Sequence, residues 1–117
     1  MWNAALAISY RRPIPGREAK ALEVFSDALT LFGKLAADDV CAEPEVFHHL
    51  VGGGTIFVKT DTVEKAVEIL EMEDVRRIIE TAFLTVDEFE THVMLTGEKV
   101  LQNMAFFGEI SAELGYI

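Results

Sequence analysis

The stretch EVFHHLVGGGTIFVK, Glu45 to Lys59, sets two adjacent histidines ahead of three glycines. It can be read as a phosphate-cradling loop, as a chemical site, or as a turn between two strands. Glycine-rich loops hold phosphates when they lead from a strand into a helix N-terminus, as in the P-loop with its Lys-Ser/Thr. Here the glycines lead into another strand, TIFVKT, and lack the Lys-Ser/Thr that directly follows the last glycine of a P-loop. Glycine also supplies the positive φ that tight hairpins demand. The segment therefore predicts a β-hairpin.

Adjacent strand residues point to opposite faces, so His48 and His49 cannot act together as a pair. With Gly52–Gly53–Gly54 as the loop, Val51 pairs with Thr55 and His49 lies opposite Phe57. Phe47, His49, Val51, Thr55, Phe57 and Lys59 then share one face, and Val46, His48, Leu50, Ile56 and Val58 the other. The second set is aliphatic and suits the side under the helices. The first mixes aromatic and polar groups, which suits a cavity or a dimer interface, and it makes His49 the preferred candidate over His48. A one-residue change in the turn would exchange the two sets.

Outward from the hairpin the periodicities alternate between two and about 3.6. Ala4 to Tyr10 places Leu6, Ile8 and Tyr10 on one side and Ala5, Ala7 and Ser9 on the other, a half-buried strand. RRPIPG interrupts regular structure. From Arg17 to about Ala37, the residues Leu22, Phe25, Leu29, Phe32 and Ala36 recur at three- and four-residue steps, one face of an amphipathic helix. The strand of the hairpin's first arm is interrupted early by Pro44. Asp61 or Thr62 caps the next helix, whose stripe is Val63, Ala66, Val67 and Leu70, and EDVRRIIETAF continues it after a break near Met72. DEFETHVML alternates as a fourth strand, with Phe89, Thr91, Val93 and Leu95 against Glu88, Glu90, His92 and Met94. Val100, Met104, Phe107 and Leu114 fit a terminal helix, which could pack on its own subunit or reach across to a partner. The order predicts a single α+β domain over residues 1–117: a ferredoxin-like, four-stranded antiparallel sheet with helices on one face and a helix appended at the C-terminus.

Composition narrows the function. Half of the 117 residues are hydrophobic and mean hydropathy is +0.24, more than so small a domain can hide within itself. The surplus predicts a subunit interface, and a homodimer is the commonest solution. The uncovered sheet face carries aromatic and aliphatic side chains, so a second subunit is its expected cover. The net charge of −10, from 20 acidic and 10 basic residues, repels phosphate backbones and disfavours nucleic-acid binding. Charges interrupt every apolar run before the roughly 20 residues that a membrane span needs. MWNAALAISYRRP has no basic region ahead of its apolar stretch and does not read as a signal peptide, so a cytoplasmic location is expected. Cys41 is the one cysteine, which excludes an intrachain disulfide and suits inert packing.

His49, Glu90 and His92 have the chemistry of metal ligands. In a ferredoxin-like sheet, however, strands two and four lie at opposite edges, roughly 14 Å apart at about 4.8 Å per strand. Zinc ligands converge to about 2 Å from one atom. No intrachain metal site is therefore expected, although a dimer could bring strand four of one subunit to strand two of the other. The candidate ligand-binding residues are His49, Phe57, Lys59, Glu90 and His92. A histidine beside aromatics can titrate near neutrality and act as an acid or base.

The segments PIPGREAKALEVFSDAL, GGGTIFVKTDTVEKAVEIL and MEDVRRIIETAFLTVDEFETHVMLTGE give the chain a resemblance to the dimeric α+β barrel superfamily over most of its length. That superfamily includes antibiotic-biosynthesis-type monooxygenases, muconolactone isomerase and haem-degrading monooxygenases. The resemblance implies two sheets packed face to face into a barrel, with a ligand cavity between each sheet and its helices or inside the barrel. Haem-degrading members ligate iron through a helical histidine, and no histidine here falls in a predicted helix. The resemblance therefore implies no cofactor and lends no catalytic residue. Two readings follow: a small-molecule-binding protein or cofactor-independent small enzyme that takes an apolar or aromatic ligand, or a non-catalytic homodimeric structural or regulatory protein.

Overall fold

A computed structural model describes residues 2–117. The elements run β1 (Ala4–Tyr10), α1 (Glu18–Ala37), β2 (Glu45–His48), β3 (Gly54–Thr60), α2 (Val63–Glu71), α3 (Glu73–Phe83), β4 (Glu90–Leu95) and α4 (Glu98–Glu113). The strands form one antiparallel sheet in the order β2-β3-β1-β4, the ferredoxin-like arrangement expected from the alternating periods. β1 occupies the centre, with Leu6 opposite Val58 on one flank and Val93 on the other.

One face of the sheet is packed. Leu6, Ile8, Ile56 and Val58 meet Ala28 and Phe32 of α1, Ile69 of α2 and Val75 of α3, with Cys41 between. Cys41 is buried, and burial together with the nearby Glu43 raises its thiol pKa, so it stays protonated and packs as an apolar group. Thr62 caps α2, its side chain accepting a hydrogen bond from the Lys65 N–H at 3.1 Å. The backbone of Met72 is extended at ψ 134°, which is the break that separates α2 from α3.

Two expectations need correction. The α1 stripe is rotated: Ala21, Val24, Ala28 and Phe32 are buried, whereas Leu22 is 71% exposed. The apolar arc of α1 is broad, and Ala21 and Ala28 are turned inward with Val24 and Phe32, which lets α1 pack beside α3. The hairpin register is also different. His48 pairs with Gly54 and Phe47 with Thr55, so the pairing is shifted by four residues from the one that a loop of Gly52–Gly54 requires, and β2 ends at His48. His49 is therefore not a strand residue. It lies in the turn, where its N–H donates to Gly53 O at 2.9 Å. The slip is even, so Phe47, Thr55, Phe57 and Lys59 still share one face and Val46, His48, Ile56 and Val58 the other.

The glycines explain the shorter hairpin. Gly52 and Gly53 both adopt positive φ. A Cβ on Gly53 would lie 2.9 Å from Tyr10 O, and one on Gly54 would lie 2.6 Å from Phe47 O. These positions close the turn against β1 and β2 and admit no side chain. Gly53→Ala is expected to destabilise the protein by about 1–3 kcal/mol, the scale of a strained backbone position. Urea unfolding checks this, and an unchanged midpoint would show that the turn is not held by this glycine.

Candidate functional site

The helices do not fill the space above the sheet completely. A cavity of about 310 Å³ lies between α1, α3 and the packed face, within the size range of ligand pockets. Its floor is Ile8 and Ile56; Ile78 and Ile79 of α3 and Val24 of α1 form its walls. The space exists because Ala21 and Ala28 of α1 and Ala82 of α3 line it where longer side chains would close it. The same rotation of α1 that leaves Leu22 largely exposed turns Ala21 and Ala28 inward.

Three rings form one side of the cavity. Tyr10 and Phe25 meet edge to face at 5.9 Å, and His48 lies 5.5 Å from Tyr10 and 5.7 Å from Phe25. Tyr10 ends β1 on the parity of Leu6 and Ile8, so strand geometry turns it under the helices. Its hydroxyl is buried and has no hydrogen-bond partner among the described residues. Burial pushes its pKa up to about 12, because the phenolate would lose its water without gaining a donor. At neutral pH this hydroxyl is a neutral donor and acceptor pointed into apolar surroundings. Thr85 also lines the cavity, but its hydroxyl already donates to Ala82 O at 3.2 Å. At the mouth Arg11 pairs with Glu88 at 3.3 Å, and Arg17 donates to the carbonyl of Leu84. The connection between α3 and β4 is pinned beside the mouth by Ile14 N–H to Thr85 O and by Asp87 N–H to Arg12 O.

The residues singled out from sequence are placed elsewhere. Phe57, Lys59, Glu90 and His92 lie on the opposite, uncovered face of the sheet. There Lys59 pairs with Glu45 at 2.8 Å, His92 with Glu90 at 3.0 Å, and Phe47 packs edge to face on Phe57 at 5.7 Å. β1 separates the two groups, with Ala7 between Phe57 and His92. His49, in the turn, joins neither group. His48, which the sequence reading ranked below it, is the histidine beside the cavity under the helices. Among the described residues no three His, Cys, Asp or Glu side chains stand close enough together to hold a metal ion, and no helix is long and apolar enough to cross a membrane. The sequence reading missed Tyr10 and Phe25. The available signal was parity, since Tyr10 is the one hydroxyl in an otherwise aliphatic row of β1.

No family model and no curated protein matches the sequence. Solved structures do match the fold. A dimeric protein of unknown function and ferredoxin-like fold from Bacteroides fragilis aligns with a TM-score of 0.58 at 10% identity, over 82% of this chain and 100% of that one. A hydroxynitrile lyase from Passiflora edulis aligns at 0.63 and 10% identity, over 84% and 97% of the two chains. A proposed antibiotic biosynthesis monooxygenase from Bacteroides thetaiotaomicron aligns at 0.60 and 10% identity, over 81% and 89%. The chain thus shares the ferredoxin-like fold of these structures, and the likeness extends to the fold alone.

The Tyr10 environment has a measurable consequence. An unfolded tyrosine loses its proton near pH 10, while folded Tyr10 holds it to about 12. Between these values the unfolded chain binds fewer protons, so a stabilising contribution present below about pH 10 is lost as pH rises toward about 12. Tyr10→Phe is expected to remove that alkaline loss and to be neutral or stabilising at pH 7, since it deletes an unpaired buried hydroxyl. Urea unfolding across the alkaline range checks both, and a clear loss of stability at pH 7 would show that the hydroxyl has a partner.

Proposed function

We propose that the chain is a cytoplasmic homodimeric protein that binds a small apolar or aromatic molecule in the cavity between its sheet and helices. The observation that carries this reading is a cavity lined chiefly by aliphatic and aromatic side chains, with the buried, partnerless hydroxyl of Tyr10 in its wall. An unpaired buried hydroxyl costs roughly 1–3 kcal/mol, a cost that a ligand bearing one hydrogen-bonding group removes. The matching ligand is a compact ring or branched aliphatic body that fills the alanine-lined space and places a hydroxyl or carbonyl against Tyr10. Phe25 and His48 would hold a flat ligand between edges and faces.

The same parts support acid–base chemistry without a cofactor. Tyr10, neutral to about pH 12, can donate to a developing oxyanion but cannot serve as a base at neutral pH, and His48 is the adjacent group able to accept a proton. The fold neighbours include a hydroxynitrile lyase, so the scaffold is used for small-molecule chemistry elsewhere.

The second face completes the reading. Phe47 is 61% exposed and Met94 45% exposed on a sheet face that no helix covers. Two copies stacked on this face would bury both, with Ala5 and Ala7 leaving a hollow along β1. Phe57, Lys59, Glu90 and His92 would then line the space between the sheets, a secondary place for ligand contact.

Titration of benzyl alcohol into the protein, followed by methyl NMR, tests the cavity. Shifts should concentrate on Ile8, Ile56 and Ile78, and Tyr10→Phe should weaken binding at least tenfold. Shifts confined to the uncovered face, or none, would overturn the cavity reading. Phe57→Asp should weaken the dimer at least a hundredfold with the circular dichroism spectrum retained, as measured by light scattering. An unchanged dimer would place the interface elsewhere.

A further inference from the structure

Among the described residues the C-terminal helix α4 adjoins the rest of its own chain only through its first turns, where Glu98, Lys99 and Gln102 stand beside Asn3 and Val63. None of its residues is buried, and Leu101, Met104, Phe106 and Phe107 are each more than 60% exposed. On a helical wheel, the arc from Phe106 through Ile110, Leu114, Phe107, Val100 and Met104 to Leu101, interrupted by Lys99 and Asn103, covers more than half of the circumference. Glu98, Gln102, Glu109 and Glu113 gather on the remaining arc. A helix this apolar is stable in water only when it is covered on more than one side.

The whole molecule reports the same imbalance. Its radius of gyration is 16.5 Å, against about 13.4 Å for a compact chain of this length. Its accessible surface is 7816 Å², whereas a compact monomer of this mass exposes about 6,300 Å². The excess, about 1,500 Å² per chain, falls in the range that homodimers bury. An anionic membrane surface is a poor cover, because α4 offers Lys99 against three glutamates.

We propose that α4 crosses to a second copy and packs over its uncovered β2 edge and the mouth of its cavity. This rests on the face-to-face dimer proposed above. β4 and β2 are the two free edges of the sheet. If two such sheets close by rotation into a barrel, the β4 edge of one copy meets the β2 edge of the other. α4 begins just beyond β4, with Thr96 N–H held by Asn3 O at 2.9 Å, so it emerges where the partner's β2 lies. The receiving surface is open and apolar. All four β2 residues are exposed, Val46 and His48 have the helix-side parity, and Leu50 and Val51 of the adjoining turn are almost fully exposed. Arg12, beside that turn, is exposed and opposite in charge to the acidic arc of α4. In this arrangement the cavity beside His48 is complete only in the dimer, with α4 of the second copy as its lid.

The test uses the full chain with Phe107→p-benzoylphenylalanine, prepared as a mixture of ordinary and ¹⁵N-labelled subunits, irradiated and digested. Crosslinks that join a light chain to a heavy chain and land in residues 45–53 are expected. A dimer whose crosslinks stay within one chain, or join α4 to the other α4, overturns the arm alone. A monomer in light scattering before irradiation overturns the dimer on which the arm depends. As a second measurement, Met104→Glu with Phe107→Glu should weaken dimerisation at least tenfold, since both side chains are exposed and neither supports the body. Unchanged dimerisation overturns the proposal.

Discussion

Everything in this molecule is arranged around the two unlike faces of β1. It lies at the centre of the sheet, sending Leu6 and Ile8 toward the helices and Ala5 and Ala7 the other way. The large side chains pair laterally with Ile56, Val58 and Val93 and form the apolar floor on which α1, α2 and α3 settle. The small ones leave the opposite face low along its midline, between Phe57 on one flank and His92 on the other. A fold that buries one face so fully and leaves the other open has used its core-forming capacity on one side. The surplus of apolar residues must then be covered by something outside the chain.

Tyr10 shows how packing and chemistry are coupled on the same strand. It continues the Leu6–Ile8 row and would be an ordinary core residue if α1 and α3 closed over it. They do not, because Ala21, Ala28 and Ala82 stand where the closing side chains would be. The result is a hydroxyl without a partner, held in a low-polarity space beside Phe25 and His48. The protein tolerates a local energetic cost there, and such costs tend to be retained where they serve binding.

The legibility of this structure in its sequence followed the strength of each period. The strands, the break near Met72 and the edge-to-edge separation of β2 and β4 were all readable, because alternation and strand order constrain them tightly. The faces of the hairpin were readable too, since parity survives an even slip in register. The register itself was not, because Leu50 and Val51 look like strand residues and only the backbone needs of Gly52 and Gly53 expel them into the turn. That is why His49 was favoured over His48. The α1 stripe was misread for a related reason. Leu22 and Leu29 are more hydrophobic than Ala21 and Ala28, but close helix packing favours the smaller pair. The cavity followed from that rotation, so Tyr10 and Phe25 were hidden in a row that reads as core. The position of α4, none of whose residues is buried within the chain, lies beyond what periodicity can decide.

The central claim is that this chain is half of a closed structure, its exposed aromatic face and protruding helix being subunit surface. Sedimentation equilibrium of the unmodified protein at micromolar concentration tests it most directly. The account predicts a mass of twice the 13.0 kDa chain. A chain that stays at its own mass would contradict it, leaving Phe47, Met94 and the apolar side chains of α4 such as Leu101, Met104 and Phe107 exposed to water with no cover.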